Sequence, residues 1–300
     1  AAHSDIDVSE VVGVFETRFN PATISPQSLF RLRFAANAID GKIGPDGETL
    51  DFNRIVSGAS PAEQDKRSGA GPGDAPSGRS VPDPGYSQAA GTLHGAVLFA
   101  GLPILERHPH GHTPEHIKLG LDAVAGLDDR NLRFRNDLPF PVVVGMSVER
   151  GSVRAELRGA RRTRTVTFKR TIVSAMPFKK RFIEDPGLPR GIRILARRGV
   201  PGFIVRSVKT VKHGSGTSEA DRHQNLRSVY RPVTERWRIG TASLHTPVEQ
   251  LPENDTRPEF LQDEHLIATQ GPDIRGFDIH RIPGITGAHG WTSRGQFATN

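Results

Sequence analysis

Residues 85–107 read GYSQAAGTLHGAVLFAGLPILER, and the rest of the chain is organised around them. Leu93, Val97 and Ala100 recur at helical spacing, and Gly101 followed by Pro103 is a helix stop. The stretch predicts a loop of small residues running into one short apolar helix. A polar residue just ahead of a buried helix is where an enzyme would place a nucleophile, because helix N-termini stabilise anions. Ser87 holds that position. The plainer reading of the same residue is a solvent-facing cap serine.

Upstream, Val8 to Phe19 predicts a strand, closed by the turn residues Asn20-Pro21. Ser25-Pro26 then opens a helix, with serine as N-cap and proline at the first helical position. Leu29, Leu32, Ala36 and Ile39 line one face of it, and Gly41 ends it. Arg31 and Arg33 on this helix read as solvated or paired with nearby acids. Lys42 to Asn53 predicts a turn-rich hairpin or loop. Residues 57–85, SGASPAEQDKRSGAGPGDAPSGRSVPDPG, carry no periodicity and predict a long mobile loop leading directly into Ser87.

Downstream, His108, His110, His112 and His116 crowd one short stretch. On a strand, alternating histidines would share a face and suit a metal. Pro109 and Pro114 disrupt regular pairing, however, and no carboxylate stands at ligand spacing. Three readings stay open: structural or loop histidines, catalytic use of one of them, and a metal. No metal site is assigned and no cofactor is expected. From Leu132 the pattern alternates. Phe140–Val148, Ser152–Leu157, Arg164–Val173, Ile192–Ala196 and Phe203–Val211 read as strands punctuated by glycines, an antiparallel β unit. Residues 242–300 have weak periodicity and predict an irregular C-terminal extension.

The totals bound the function. A chain of 300 residues suggests about two domains. The net charge of +7, with Arg far outnumbering Lys, favours anionic partners such as cell-wall polymers, lipid headgroups or nucleic acid. No Lys/Arg block is interleaved with aromatics, so no nucleic acid is expected. With no cysteine, disulfides, zinc-thiolate sites and thiol catalysis are excluded. No apolar run is long enough for a transmembrane segment. The small residues Ala1-Ala2-His3-Ser4 are compatible with a mature start after a removed signal peptide.

The first half, roughly 8–160, resembles the VanW-like family of bacterial envelope proteins. The resemblance is carried by Phe15-Glu16-Thr17 with Phe19, FRLRFAANAIDGKIGPDGETLDFN (30–53), GYSQAAGTLHGAVLFAGLPILERHPH (85–110), KLGLDA (118–123) and LRFRNDLPFPVVV (132–144). The second half, roughly 165–241, resembles a G-five domain. Its carrying residues are Pro177-Phe178, Asp185-Pro186, Leu188-Pro189-Arg190-Gly191, Arg198-Gly199-Val200-Pro201-Gly202, Pro232-Val233 and Ile239-Gly240-Thr241. The implied fold class is α+β: a VanW-like mixed α/β domain over 1–160, a small antiparallel G-five-like β module over 161–241, then the extension over 242–300. Such modules are associated with cell-wall glycans containing N-acetylglucosamine. Both resemblances imply an extracytoplasmic protein whose partner is peptidoglycan or another anionic cell-wall polymer.

Some VanW-like proteins look like L,D-transpeptidases, in which a cysteine attacks a donor stem peptide. Here Ser87-Gln88 stand at the family's Cys-Gln position, and His110 stands at the family histidine. A thiolate is populated and nucleophilic near neutral pH, whereas a serine hydroxyl needs an adjacent base. Three explanations stay open: a natural pseudoenzyme, an engineered inactivation, or a true serine variant. In the last, Ser87 is the nucleophile, His110 the general base and Asp122 the orienting carboxylate. The amides around Gln88 and Ala89 would then form the oxyanion hole, with Gln88, Thr92, Arg107 and His112 as substrate contacts. The chain also departs from the family at Phe30, usually asparagine, Asp51, usually serine, and His116, usually tyrosine. Several departures together favour drift away from catalysis, leaving a protein that binds glycan or stem peptide.

Overall fold

A computed structural model describes residues 6–59, 83–126, 129–214, 220–242, 289–292 and 297–298. The first half builds β1 (Glu10–Arg18), α1 (Pro26–Ile39), β2 (Lys42–Gly44), β3 (Thr49–Asp51), α2 (Phe52–Ala59), α3 (Pro84–Phe99), β4 (Ile104–Glu106), β5 (Arg133–Arg135), β6 (Val142–Glu149) and β7 (Ser152–Gly159). A four-stranded antiparallel sheet runs in the order β1-β7-β6-β2, and a small sheet in the order β3-β5-β4. The fold is α+β, as the sequence predicts.

The helix α3 is the centre of this half. Every residue from Gly85 to Phe99 is buried. A helix apolar on all sides has no solvent face to offer, so it must be enclosed. It packs on β1 and β7 on one side and on α1 on the other. Small residues permit that enclosure. A Cβ on Gly95 would lie 2.3 Å from the Phe15 ring, and one on Gly85 would lie 2.0 Å from the Ser28 carbonyl oxygen. Gly101, at φ +80°, ends the helix at the position its sequence predicts.

The start of α3 differs from the sequence reading. The helix begins at Pro84, with Asp83 as N-cap, so Ser87 lies inside it and not ahead of it. Asp83-Pro84 is the stronger start signal: the aspartate accepts the Gly85 amide at 2.8 Å, and proline is pre-shaped for the first turn. The other Asp83 oxygen pairs with Arg31 of α1 at 2.7 Å, and that guanidinium lies 5.9 Å from the Tyr86 ring centroid. Arg31 is thus the paired arginine of the two noted on α1. Residues 57–59 belong to α2, which the sequence reading took as loop, and residues 60–82 of the expected loop lie outside the described residues.

The second half contains β8 (Arg164–Met176), β9 (Lys180–Pro189), β10 (Arg193–Arg197), β11 (Gly202–His213), β12 (Arg222–Tyr230) and β13 (Glu235–Ala242). Strands β12, β11 and β8 form an antiparallel sheet. Strand β14 (His289–Thr292) pairs with β8, and β15 (Phe297–Ala298) pairs with β14. The expected extension therefore contributes two strands, while 243–288 lies outside the described residues. A separate sheet runs β10-β13-β9, and its β13–β9 pairing is parallel, a departure from the purely antiparallel expectation. Strand β9 escaped the sequence reading because it contains Pro186 and Gly187 and is exposed along most of its length, so it shows no burial alternation.

The two halves share a core. Val166, Phe168 and Val211 pack with the cluster around α3, while Leu119 packs with Ile172, Phe203, Val205 and Tyr230. Replacing Gly95 with alanine is expected to destabilise the whole protein by about 1–3 kcal/mol, because Phe15 must move or the helix must shift. Urea unfolding measures this; an unchanged midpoint would mean the helix–strand spacing is loose.

Candidate functional site

The loop between β4 and β5 folds back over the end of α3 and buries one carboxylate. Asp122 is fully inaccessible to solvent. Arg107 donates from Nη2 to Asp122 Oδ1 at 2.9 Å and from Nε to the Asp122 carbonyl at 2.7 Å. His110 meets Oδ2 twice, from its backbone amide at 2.7 Å and through its ring Nδ1 at 2.9 Å. The Tyr230 hydroxyl of β12 donates to Oδ1 at 2.5 Å and accepts the Gly120 amide at 2.8 Å. Arg107 also donates to the Ser228 hydroxyl at 2.9 Å.

The charges follow from this wiring. Burial alone pushes the Asp122 carboxyl up, but Arg107 and His110 overcome it and hold the group well below the usual carboxylate range. Burial, then the adjacent Asp122 carboxylate, pushes the Tyr230 phenol up, so it stays a proton donor. The His116 ring sits edge-on to His110 with centroids 5.5 Å apart. Burial and the neighbouring His110 push His116 down to about 4, and its Nε2 is sealed from solvent without a hydrogen bond among the described residues. His94 on α3 is fully buried, bonded through Nδ1 to the Leu121 carbonyl at 2.7 Å, and pushed down to about 3 chiefly by burial.

The structure brings His110, Asp122 and Arg107 together, but leaves Ser87 out. The Ser87 side chain is buried in α3, and its hydroxyl has no hydrogen-bond partner among the described residues. Its amide bonds the Asp83 carbonyl at 3.0 Å, and the helical amides that follow are committed to carbonyls one turn back. An oxyanion hole at Gln88 and Ala89 would need those amides free. Gln88 and Thr92 are buried too: Gln88 donates to the Thr17 hydroxyl at 3.3 Å, and the Thr17 and Thr92 hydroxyls lie 2.7 Å apart. His112 is exposed and bonds the Arg231 carbonyl through Nδ1 at 2.9 Å. Among the described residues, the histidines form no group able to hold a metal.

Tyr230 and Ser228 are the members that sequence reasoning missed. Both come from a strand too polar to be read as one, more than a hundred positions from Asp122. The one available signal was that Tyr230 is among just two tyrosines in the chain.

Residues 29–158 match the family described as "VanW like protein". This part of the chain is a VanW-like domain. It holds Arg107, His110 and Asp122 and all of α3. Among solved structures, the "IgA1 Protease G5 domain structure" is similar at 16% identity, covering 28% of this chain and 99% of that one, with a TM-score of 0.19. The "Crystal structure of HP0197-G5" is similar at 25% identity, covering 25% of this chain and 97% of that one, with a TM-score of 0.15. A comparison with curated proteins gave no significant match.

The buried histidines set an acid limit. His116 is neutral in the fold down to about 4 but takes a proton near 6.5 when unfolded, so unfolding takes up a proton in that interval and stability falls as pH drops through it. Replacing His116 with phenylalanine is expected to flatten the loss between pH 6.5 and 4, by roughly 3 kcal/mol at most. Urea midpoints across that range test it, and an unaltered slope would place the acid sensitivity elsewhere.

Proposed function

We propose that this is a cell-envelope protein that binds peptidoglycan and carries a retired acyl-transfer site in its VanW-like domain. The observation that carries the reading is Ser87: a buried hydroxyl inside a helix, with no base bonded to it among the described residues. A serine needs such a base to attack an acyl group. His110 and Asp122 keep the base–carboxylate half of a triad at 2.9 Å. That pair favours a second reading, an active serine enzyme, which requires Ser87 to reach His110.

The binding surface in this proposal is the β10-β13-β9 sheet. Leu195, Trp237 and Phe182 align across its three strands. Phe182 is 53% exposed and Leu195 43%. The neighbouring row, Ile194, Arg238 and Ile183, lies on the opposite face, because successive side chains alternate. A single-layer sheet with apolar rows and flanking arginines suits a sugar polymer bearing carboxylates: ring faces stack on the aromatic and the charge is met by guanidinium groups. The G-five resemblance of residues 165–241 supports the same partner, and an extracytoplasmic location is part of the same proposal. Among the described residues no helix is long and apolar enough to cross a membrane.

Sedimentation with purified peptidoglycan is expected to retain the protein at low salt. The Phe182→Ala, Leu195→Ala double variant is expected to weaken retention by about tenfold or more. Incubation with tetrapeptide muropeptides is expected to give neither cross-linked nor hydrolysed product. Absent retention would remove the binding role, and a Ser87 acyl adduct seen by mass spectrometry would revive the enzyme.

A further inference from the structure

A second charged centre lies away from Asp122, where the turn after α3 meets β11 and β12. A cavity of about 410 Å³ opens there, lined by Gly101, Leu102, Pro103 and Ile104 on one side and by Lys209, Val211, Arg222, His223 and Gln224 on the other. That volume falls in the range of small-molecule sites, about 300–1,000 Å³. Lys209 is only 3% exposed, and its ammonium donates to the Leu102 carbonyl at 2.8 Å. It has no other hydrogen-bond partner among the described residues, so two of its three donors are unspent.

The charges around Lys209 do not balance. Asp137 is the one carboxylate close by among the described residues, and it is already shared: Arg164 reaches it at 2.5 Å and Arg222 at 3.0 Å. Lys209, Arg164 and Arg222 thus face a single negative group, with His223 beside them, bonded to the Thr210 hydroxyl at 3.1 Å. A buried, uncompensated ammonium is costly. Burial, then Arg222, pushes Lys209 down to about 7, while Asp137 opposes the shift and Arg164 adds to it. The opposite wall, Leu102, Pro103 and Ile104, is apolar, and Val211 beside Lys209 adds to the apolar lining.

We infer that this cavity is a binding site for a small organic carboxylate with an apolar body, its charge held by Lys209 and Arg222 and its body against Leu102, Pro103, Ile104 and Val211. The site spans the VanW-like domain and the β strands that follow, and it stands apart from both the Asp122 network and the β10-β13-β9 sheet. An anion bound there restores the missing negative charge and favours the protonated lysine. Binding therefore takes up a proton above pH 7 and strengthens as pH falls through that value.

The test is an NMR titration of the full chain with hexanoate, and with hexanamide as its neutral counterpart. Hexanoate is expected to shift the amides of Leu102, Ile104, Val211 and His223, and hexanamide to leave them largely unmoved. Affinity is expected to fall as pH is raised from one unit below to one unit above the Lys209 value of about 7. Lys209→Met, which keeps the length and removes the charge, is expected to weaken hexanoate by about tenfold or more and to abolish the pH dependence. His223→Gln is expected to leave that dependence in place. Equal shifts from both probes, shifts confined to other residues, or no shift at all would overturn the site. If Lys209→Met does not fold, the comparison of the two probes on the unaltered protein still decides.

Discussion

The buried carboxylate of Asp122 is the constraint on which the arrangement of this chain depends. A lone carboxylate with no exposure could not stay ionised; it would take a proton or drag water in. Here four groups arrive at it: the Arg107 side chain, the His110 ring, the His110 amide and the Tyr230 hydroxyl, with Ser228 holding Arg107 and Gly120 holding Tyr230 in place. Satisfying the charge therefore fixes the loop from β4 to β5, and the same act fastens β12 to it. A backbone bond from the Arg231 amide to the Gly111 carbonyl, and a side-chain bond from the Thr113 hydroxyl to the Pro201 carbonyl, extend the seam. The β strands are in this sense part of the VanW-like site and not an independent appendage.

The second requirement is the close packing of α3. Its glycines bring Phe15 and the Ser28 carbonyl within reach of the helix backbone, and its enclosure buries whatever polar group the sequence places there. This explains why Ser87, Gln88 and Thr92 are all hidden. Gln88 and Thr92 find Thr17, whereas Ser87 finds no partner among the described residues.

Much of this was legible in the sequence, for physical reasons that can be named. The helix over 26–39 follows from Ser25-Pro26 and its apolar spacing, and the end of α3 from Gly101 and Pro103. The pairing of His110 with Asp122 follows the sequence reading, whereas Arg107, expected as a substrate contact, is spent on the same carboxylate. What was not legible is what depends on distant strands. Strand β12 is polar because one face meets charged loop residues, so its composition hides both its strand character and Tyr230. Strand β9 and its parallel pairing were hidden by the lack of any core behind that sheet. The helix α3 begins one turn before Ser87 because Asp83-Pro84 is the stronger cap.

The central claim is that Asp122 and Tyr230 join the two halves through one buried, charge-assisted contact. A double-mutant cycle measures it directly, using Asp122→Asn, Tyr230→Phe and the pair, each unfolded in urea at neutral pH. The account predicts that the two changes are strongly non-additive, with a coupling of about 1–3 kcal/mol, because either one alone already breaks the contact. Additive losses would contradict it and leave the β strands merely resting against the VanW-like domain.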